Sequence, residues 1–240
     1  VAAARAGATV VHHCPVGADA KDLLAEMVKV GVRHSGQIFA HHANGHASVW
    51  VSEDSGENVI ALHAGTNAMI TVEELASVCA DLSESDWVML QNEVTHTDQA
   101  ARLAREAGAY AVYSAAPFDV AAARSVLPFI THLLMNEGED RAFRAAGLTV
   151  PEDVIQIVTK GPIGAEWRSR ALDFEQAAFP VKDVVDTTGA GDCFAGNLVA
   201  ALANGTAPRE AMRWAQAAAS IQITRAGAAP AMPSAEDTRK

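Results

Sequence analysis

The sequence predicts an α/β fold: a mostly parallel sheet covered by helices on both faces, with a small antiparallel sheet attached. Three observations lead there. Short β-rich segments alternate with amphipathic helical stretches along most of the 240 residues. Several β segments, such as Trp87-Val88-Met89-Leu90, are apolar throughout, as strands buried on both faces are. Between residues 37 and 62 the rhythm breaks into three short β segments with Asn44-Gly45 and Asp54-Ser55-Gly56 turns between them, the pattern of hairpins.

Taken in order, Val1-Ala2-Ala3-Ala4-Arg5-Ala6-Gly7 reads as the last turns of a helix closed by Gly7, with no initiating Met and no cap before it, so a truncated amino terminus is expected. Thr9-Val10-Val11 predicts a strand. Asp19 then predicts the cap of a helix whose Leu23, Leu24, Met27 and Val28 share one face before Gly31 stops it. The three short β segments cover 37–40, 47–52 and 58–62. Thr71 and Glu74 have the spacing of a capping box for a helix to about residue 80. Strand 87–90, helix 98–107, strand 110–113, a short helix near Ala121, strand 132–135, helix 139–146 and strand 154–159 follow, with 87–90 read as a buried strand. A hairpin-like excursion over 165–168 and 177–181 leads through Val184-Val185 to a glycine-rich segment. A helix over 190–203 and a last helix from Pro208, suited to a first turn, to about Thr224 complete the pattern. Residues 234–240 read as a disordered polar tail.

Half of the residues are hydrophobic, enough at this length for a full core without disulfides. Cys14, Cys79 and Cys193 are far apart and form no CxxC pair, which points to reduced thiols in the cytoplasm and away from a zinc site. His41 and His42 would point to opposite faces of a strand, which disfavours a shared metal. The net charge of -11 disfavours nucleic acid or an anionic membrane as partner, since both select basic patches. No apolar run reaches the roughly 18 to 20 residues of a membrane span. A phosphate site stays open to an acidic chain, because it requires local backbone N–H groups rather than net charge.

In parallel sheets, ligands gather beyond the carboxyl ends of strands. Four loops there carry suggestive residues: Glu93; Asn136 with Glu139; residues 159–164; and residues 186–192. The last, Asp186-Thr187-Thr188-Gly189-Ala190-Gly191-Asp192, precedes a long helix, so its small residues leave N–H groups uncovered at a helix amino terminus, forming an anion hole. Asp192 at its edge can take the proton of an attacking hydroxyl. Each loop also has a plainer reading. The glycines can simply let strand and helix pack closely, Asn136-Glu137-Gly138-Glu139 can be an acidic helix start, 159–164 a turn, and Glu93 a solvated acid.

The full string, continuing through Cys193-Phe194-Ala195-Gly196, resembles the carboxy-terminal signature of the ribokinase (PfkB-type) family of sugar and nucleoside kinases. Val16-Gly17-Ala18-Asp19, Gly56-Glu57-Asn58, Gly65-Thr66-Asn67, Met135-Asn136-Glu137-Gly138-Glu139 and Thr224-Arg225-Ala226-Gly227 resemble family landmarks in the family's order, so the resemblance covers most of the chain. It implies a ribokinase-like α/β domain that starts at 1–34, a β lid at 35–64, and the rest of the kinase domain, with ATP site and catalytic loop, at 65–240.

For the site, the resemblance implies Asp192 as the base acting on a sugar hydroxyl, with Gly189, Ala190 and Gly191 as the anion hole. Asn136 and Glu139 would act at the phosphates, Glu139 on Mg2+ through water. Thr159, Lys160, Gly161, Pro162, Ile163, Gly164, Gly191 and Gln216 would surround ATP, and Glu93 would join Asp192 on the sugar. Asp186, Thr188, Gln222, Arg225 and Gly227 match the positions around a monovalent cation, K+, in similar enzymes; Ala231 lacks the serine hydroxyl often found there.

The reaction implied is ATP-dependent phosphorylation of a sugar, foremost D-ribose at its 5-hydroxyl, because 90–93, 56–58 and the tail from Thr224 resemble ribokinases more than fructokinases or adenosine kinases. The alternatives are another sugar or nucleoside kinase of the family, and a truncated non-catalytic nucleotide-binding relative. A homodimer through the lid is implied as well. Two departures stand out: His12-His13-Cys14-Pro15 replaces a glycine-containing turn at the edge of the sugar pocket, and the Gly-Gly-Lys-Gly-Ala-Asn-like sugar motif that precedes the first helix in relatives is absent.

Overall fold

The structure, a computed structural model, describes residues 1–51 and 58–239. In chain order the elements are α1 (Ala2–Arg5), β1 (Val10–His12), β2 (Val16–Gly17), α2 (Lys21–Lys29), β3 (Val32–His34), β4 (Ile38–Phe39), β5 (His46–Val51) and β6 (Asn58–His63). Then come α3 (Val72–Cys79), β7 (Trp87–Leu90), α4 (Thr97–Glu106), β8 (Tyr110–Ser114), α5 (Val120–Val126), β9 (His132–Asn136) and α6 (Glu137–Ala145). The chain ends with β10 (Ile155–Thr159), β11 (Gly164–Arg168), β12 (Asp173–Ala177), α7 (Ala190–Ala203), α8 (Pro208–Gln222) and α9 (Ala235–Arg239).

A six-stranded sheet in the order β12-β11-β10-β9-β8-β7 forms the centre. Its β7 to β10 part is parallel, and β11 and β12 extend it antiparallel. Side-chain alternation explains the apolar runs. Tyr113 of β8 with Leu133 and Met135 of β9 pack with Ala101, Ala104, Val126 and Phe143 of α4, α5 and α6. Their neighbours Val112 and Leu134, with Ile157, belong to the opposite face, against Phe194 and Leu198 of α7 and Met212 of α8. β1 and β3 form a separate parallel pair. No helix among the described residues is long and apolar enough to cross a membrane.

Several predicted elements shift, each for a visible reason. Strand β7 lies at the sheet edge, so it is only half-buried and Met89 is exposed. The segment at 37–40 does not join the antiparallel sheet, because β4 pairs in parallel with β2 and the Val16 N–H donates to the Gln37 carbonyl at 2.9 Å. The antiparallel pairing belongs to β5 and β6, from His46 opposite His63 to Val51 opposite Asn58; the Asp54-Ser55-Gly56 turn and Glu57 lie outside the described residues. The second strand of the excursion is β12, not 177–181, since Phe174 pairs with and stacks on Trp167. Val184 and Val185 are exposed loop residues, tied down by the Val185 N–H to the Ile223 carbonyl at 2.7 Å.

Asp19 does not cap α2. Its carboxylate accepts the Asn44 N–H at 2.9 Å, and the Asn44 Oδ1 accepts from Gly17 N–H and from the buried Thr66 hydroxyl. The landmarks at 16–19 and 65–67 therefore meet at the base of the β5–β6 arm. The tail at 235–239 is helical rather than disordered, because Ser234 and Asp237 exchange hydrogen bonds across its first turn.

Helix α1 lies directly on α7. A Cβ on Gly196 would stand 2.6 Å from the Ala2 Cβ and 2.9 Å from the Ala3 nitrogen, so only glycine allows this approach. Arg5 adds hydrogen bonds to the carbonyls of Ala229, Pro230 and Met232. Overpacking of this kind costs about 1–3 kcal/mol. Gly196→Val is expected to lower the urea midpoint accordingly with an unchanged m-value; a midpoint equal to wild type would contradict the α1–α7 contact.

Candidate active site

The glycine-rich segment forms the start of α7. Gly189 takes a left-handed conformation, φ 74°, at the amino-terminal cap, and its carbonyl accepts the Cys193 N–H at 2.8 Å. Ala190 N–H closes onto Thr187. The amides of Gly191 and Asp192 join none of these backbone bonds among the described residues and remain free for an anion. Asp186 braces the turn from behind: one oxygen accepts the Thr188 N–H and the other the Gly227 N–H, each at 2.9 Å. Those hydrogen bonds hold the Asp186 carboxyl below the usual range, Thr188 contributing most.

Across the turn stands the loop after β7. Gln91 Nε2 donates to Asp192 Oδ1 at 3.3 Å. Asn92 anchors the loop: its Nδ2 donates to the Pro117 carbonyl at 2.8 Å, and its Oδ1 accepts the Tyr113 hydroxyl at 2.7 Å. Burial pushes that phenol up to about 12, so it remains a donor. Glu93 reaches solvent, yet partial desolvation pushes its carboxyl up, and the nearby Asp192 charge adds to the rise. The structure thus brings Asp192 and its free amide close to Gln91 and Glu93. Gln91 was missed in sequence because a glutamine one residue past a strand carries no distinguishing pattern; its place beyond the carboxyl end of β7 was the available signal.

Asn136 and Glu139 form a reciprocal capping box on α6: Asn136 N–H to Glu139 Oε2 at 2.7 Å, and Glu139 N–H to Asn136 Oδ1 at 2.9 Å. The helix-start reading is therefore physically realised. Only Oε2 of Glu139 is engaged there, so Oε1 can still accept from a metal-bound water. Burial raises the Glu139 carboxyl, opposed by the Asn136 hydrogen bond.

In the loop at 159–164, Lys160 N–H bonds the Gly164 carbonyl at 2.8 Å around a one-turn 3-10 helix, Gly161–Ile163. Gly164 is required at φ 127°, where a Cβ would strike the Gln176 carbonyl oxygen. The Lys160 ammonium turns away from the loop backbone, paired with Glu166 and 3.6 Å from Glu175. Ile163 is exposed beside a cavity of 270 Å³ lined also by Lys160, Ala165, Glu166 and Glu175. Gln216 lies on the buried face of α8, 5% exposed, so little of its surface is open to a base. A cavity of 620 Å³ between Glu84, Arg105, Tyr110 and Thr131 opens at the amino ends of β8 and β9, the wrong end of a parallel sheet for this chemistry.

Other reactive side chains are quiet. Cys193, one residue from Asp192, is buried and its thiol is pushed up to about 12, which removes it as a nucleophile; burial also raises Cys14 and Cys79. His12 and His34 face each other across β1 and β3, Nδ1 to Nδ1 3.3 Å, with His12 held down near about 4 by burial and by its neighbour.

With this geometry in hand, similarity is informative. A family model described as pfkB family carbohydrate kinase matches residues 1–235. The ribokinase of Haemophilus influenzae is 28% identical over 257 residues, covering 99% of this chain and 83% of that protein. The ribokinase of Bacillus subtilis is 28% identical over 255 residues, covering 100% and 84%. Among solved structures, the ribokinase from Cryptococcus neoformans var. grubii serotype A in complex with ADP superposes with a TM-score of 0.86 at 25% identity, covering 99% of this chain and 84% of that one.

The raised carboxyl of Glu93 makes a prediction about stability. The folded state binds this proton more tightly than the unfolded chain does, so the stability linked to Glu93 is present at low pH and is lost as pH rises through its folded value. Glu93→Gln is expected to raise Tm at neutral pH, with the gain vanishing once pH falls below the ordinary glutamate range. An equal Tm difference at both pH values would show that Glu93 is not desolvated in the fold.

Proposed function

Since the chain belongs to the pfkB family of carbohydrate kinases, we propose that it transfers the γ-phosphoryl group of ATP to the 5-hydroxyl of D-ribose, giving D-ribose 5-phosphate and ADP. The observation that carries this reading is the meeting of Asp192 with the free amides of Gly191 and Asp192 at the start of α7, opposite Gln91 and Glu93. Relatives named ribokinase, matched over nearly the whole chain, support ribose as the acceptor.

In this reading Asp192 accepts the proton of the attacking hydroxyl while the Gly189-Ala190-Gly191 turn receives the charge developing on the transferred group through the free amides of Gly191 and Asp192, the Ala190 N–H being held by the Thr187 carbonyl. Gln91 holds the Asp192 carboxylate in place, and Glu93 accepts hydrogen bonds from the sugar hydroxyls. The loop at 159–164, with Asn136 and Gly191, takes the nucleotide phosphates and Gln216 borders the base. Glu139 suits Mg2+ through a water, and the ion would neutralise the phosphates there. Lys160 acts through Glu166 rather than on phosphate directly.

Residues 35–64 are read as a lid hinged at Asp19 and Asn44, closing over the sugar to exclude water. Trp50 and Leu62, exposed on the β5–β6 arm, and Ile38, exposed on β4, support the use of residues 35–64 as a homodimer contact. The three free, buried cysteines accord with a reducing cytoplasm.

Asp192→Asn is expected to lower kcat by roughly 10²- to 10⁴-fold, the usual contribution of a positioned base, with ADP affinity within about twofold of wild type by calorimetry. Unchanged turnover would remove Asp192 from the mechanism. A panel of ribose, fructose and nucleosides, read as acceptor-dependent ADP release, should favour ribose; strong turnover of another acceptor with negligible ribose turnover would overturn the substrate assignment.

A further inference from the structure

Beneath the glycine turn lies a side chain that the proposed chemistry has not used. Gln222, the last residue of α8, is 0% exposed. Its Nε2 donates to the Thr188 carbonyl at 2.8 Å and to the Ala228 carbonyl at 3.3 Å. It sits close enough that a Cβ on Gly189 would lie 3.1 Å from it. Two carbonyl acceptors fix which end of the amide is nitrogen, because the reverse orientation would press Oε1 against two oxygens. Oε1 itself has no partner among the described residues.

The same neighbourhood holds the oxygens that a resident monovalent cation would need. Asp186 uses one oxygen on Thr188 N–H and the other on Gly227 N–H. The Thr188 carbonyl accepts from the Gln222 amide, and the Gln222 carbonyl accepts from Arg225 N–H at 2.9 Å. Ala231 adds no hydroxyl. Three of the five positions that would surround K+, Asp186, Thr188 and Gln222, thus already accept N–H donors from this chain, and a buried amide N–H group set among these oxygens, as Gln222 Nε2 is, does not fit a cation beside it. Amide dipoles directed at these oxygens supply the same sign of field as a cation, and covalent attachment to α8 keeps them in place at any salt concentration.

We infer that the buried amide of Gln222 is a positioning residue that holds the anion-hole turn in place of a monovalent cation, so that this chain works without K+. The inference rests on the kinase reading for its effect on turnover, but the tie between Gln222 and the turn can be tested apart from it.

The test compares wild type with Gln222→Met, which keeps the volume and removes both donors, in K+ and in equal concentrations of tetramethylammonium, an ion too large for the loop. Wild-type Tm, ADP affinity and turnover should each be the same in both salts, within twofold for the last two. Gln222→Met should lose about tenfold in ADP affinity or turnover in tetramethylammonium, the effect of one buried hydrogen-bond pair, and recover it in K+ as the freed carbonyls accept the ion. Its Tm should likewise be lower in tetramethylammonium and restored by K+. A severalfold gain for wild type in K+, or a Tm rise, would overturn the inference by showing a cation at the loop, with the unpaired Oε1 as a ligand. A variant matching wild type in both salts would overturn it too, as would one whose loss K+ does not reverse. If no salt gives acceptor-dependent ADP release, the kinase reading fails, while the Tm comparison still decides the role of Gln222.

Discussion

Helix α7 is buried along residues 193–200, and that burial fixes the direction of everything at the glycine turn. A helix enclosed by the sheet on one side and by α1 and α8 on others has no freedom to tilt, so its amino terminus points where the core directs it. The left-handed backbone of Gly189 lets the chain turn from the exposed loop directly into that helix. Asp186 and Gln222 then hold the entering strand of chain on its far side. Amides set in this way are arranged before any ligand arrives, and such preorganisation is what lets them stabilise charge without moving.

The loops that follow β9 and β10 are joined by a second device, a ladder of alternating charges. Lys160 pairs with Glu166, Glu166 with Arg168, and Asp140 of α6 stands between Arg168 and Arg144 while also accepting from Gln156. Burial alone would push Glu166 up, but Lys160, a shared hydrogen bond with Glu175 and the Arg168 charge bring it down. The ladder ties β10 and β11 to α6, so the loop at 159–164 and the capping box at Asn136 and Glu139 sit on one braced unit. These pairs are partly buried, where each charge depends on its neighbours. A chain with a net charge of -11 thereby keeps its loop lysine committed to carboxylates.

How much of this was legible in the linear chain depended on the range of the forces involved. Local ones were readable: the Thr71 to Glu74 capping box, the apolar runs of β8 to β10, Pro208 at the first turn of α8 and Gly189 at the start of α7 all appear where short-range rules put them. Misreadings came where a distant partner outweighed a local preference. Asp19 has the composition of a helix cap, yet an amide 25 residues away takes its carboxylate. Residues 38–39 look like part of a hairpin, yet β2 offers a parallel edge. Serine and aspartate at 234 and 237 suggest a solvated tail until their reciprocal bonds are seen to start a helix.

By itself, the sequence determined the α/β architecture, the glycine turn at the start of a long helix and the acid at its edge, because backbone conformation, side-chain period and helix-end polarity are written in adjacent residues. Only the tertiary structure decided that Gln91 steadies Asp192, that Lys160 faces Glu166, and that the amide of Gln222 lies under Gly189. Those contacts join residues separated by 101 positions in the first case and by 34 between Gln222 and Thr188. They exist because a packed core brings the ends of distant elements within hydrogen-bond reach, and no local pattern encodes which of many polar side chains will fill the space left there.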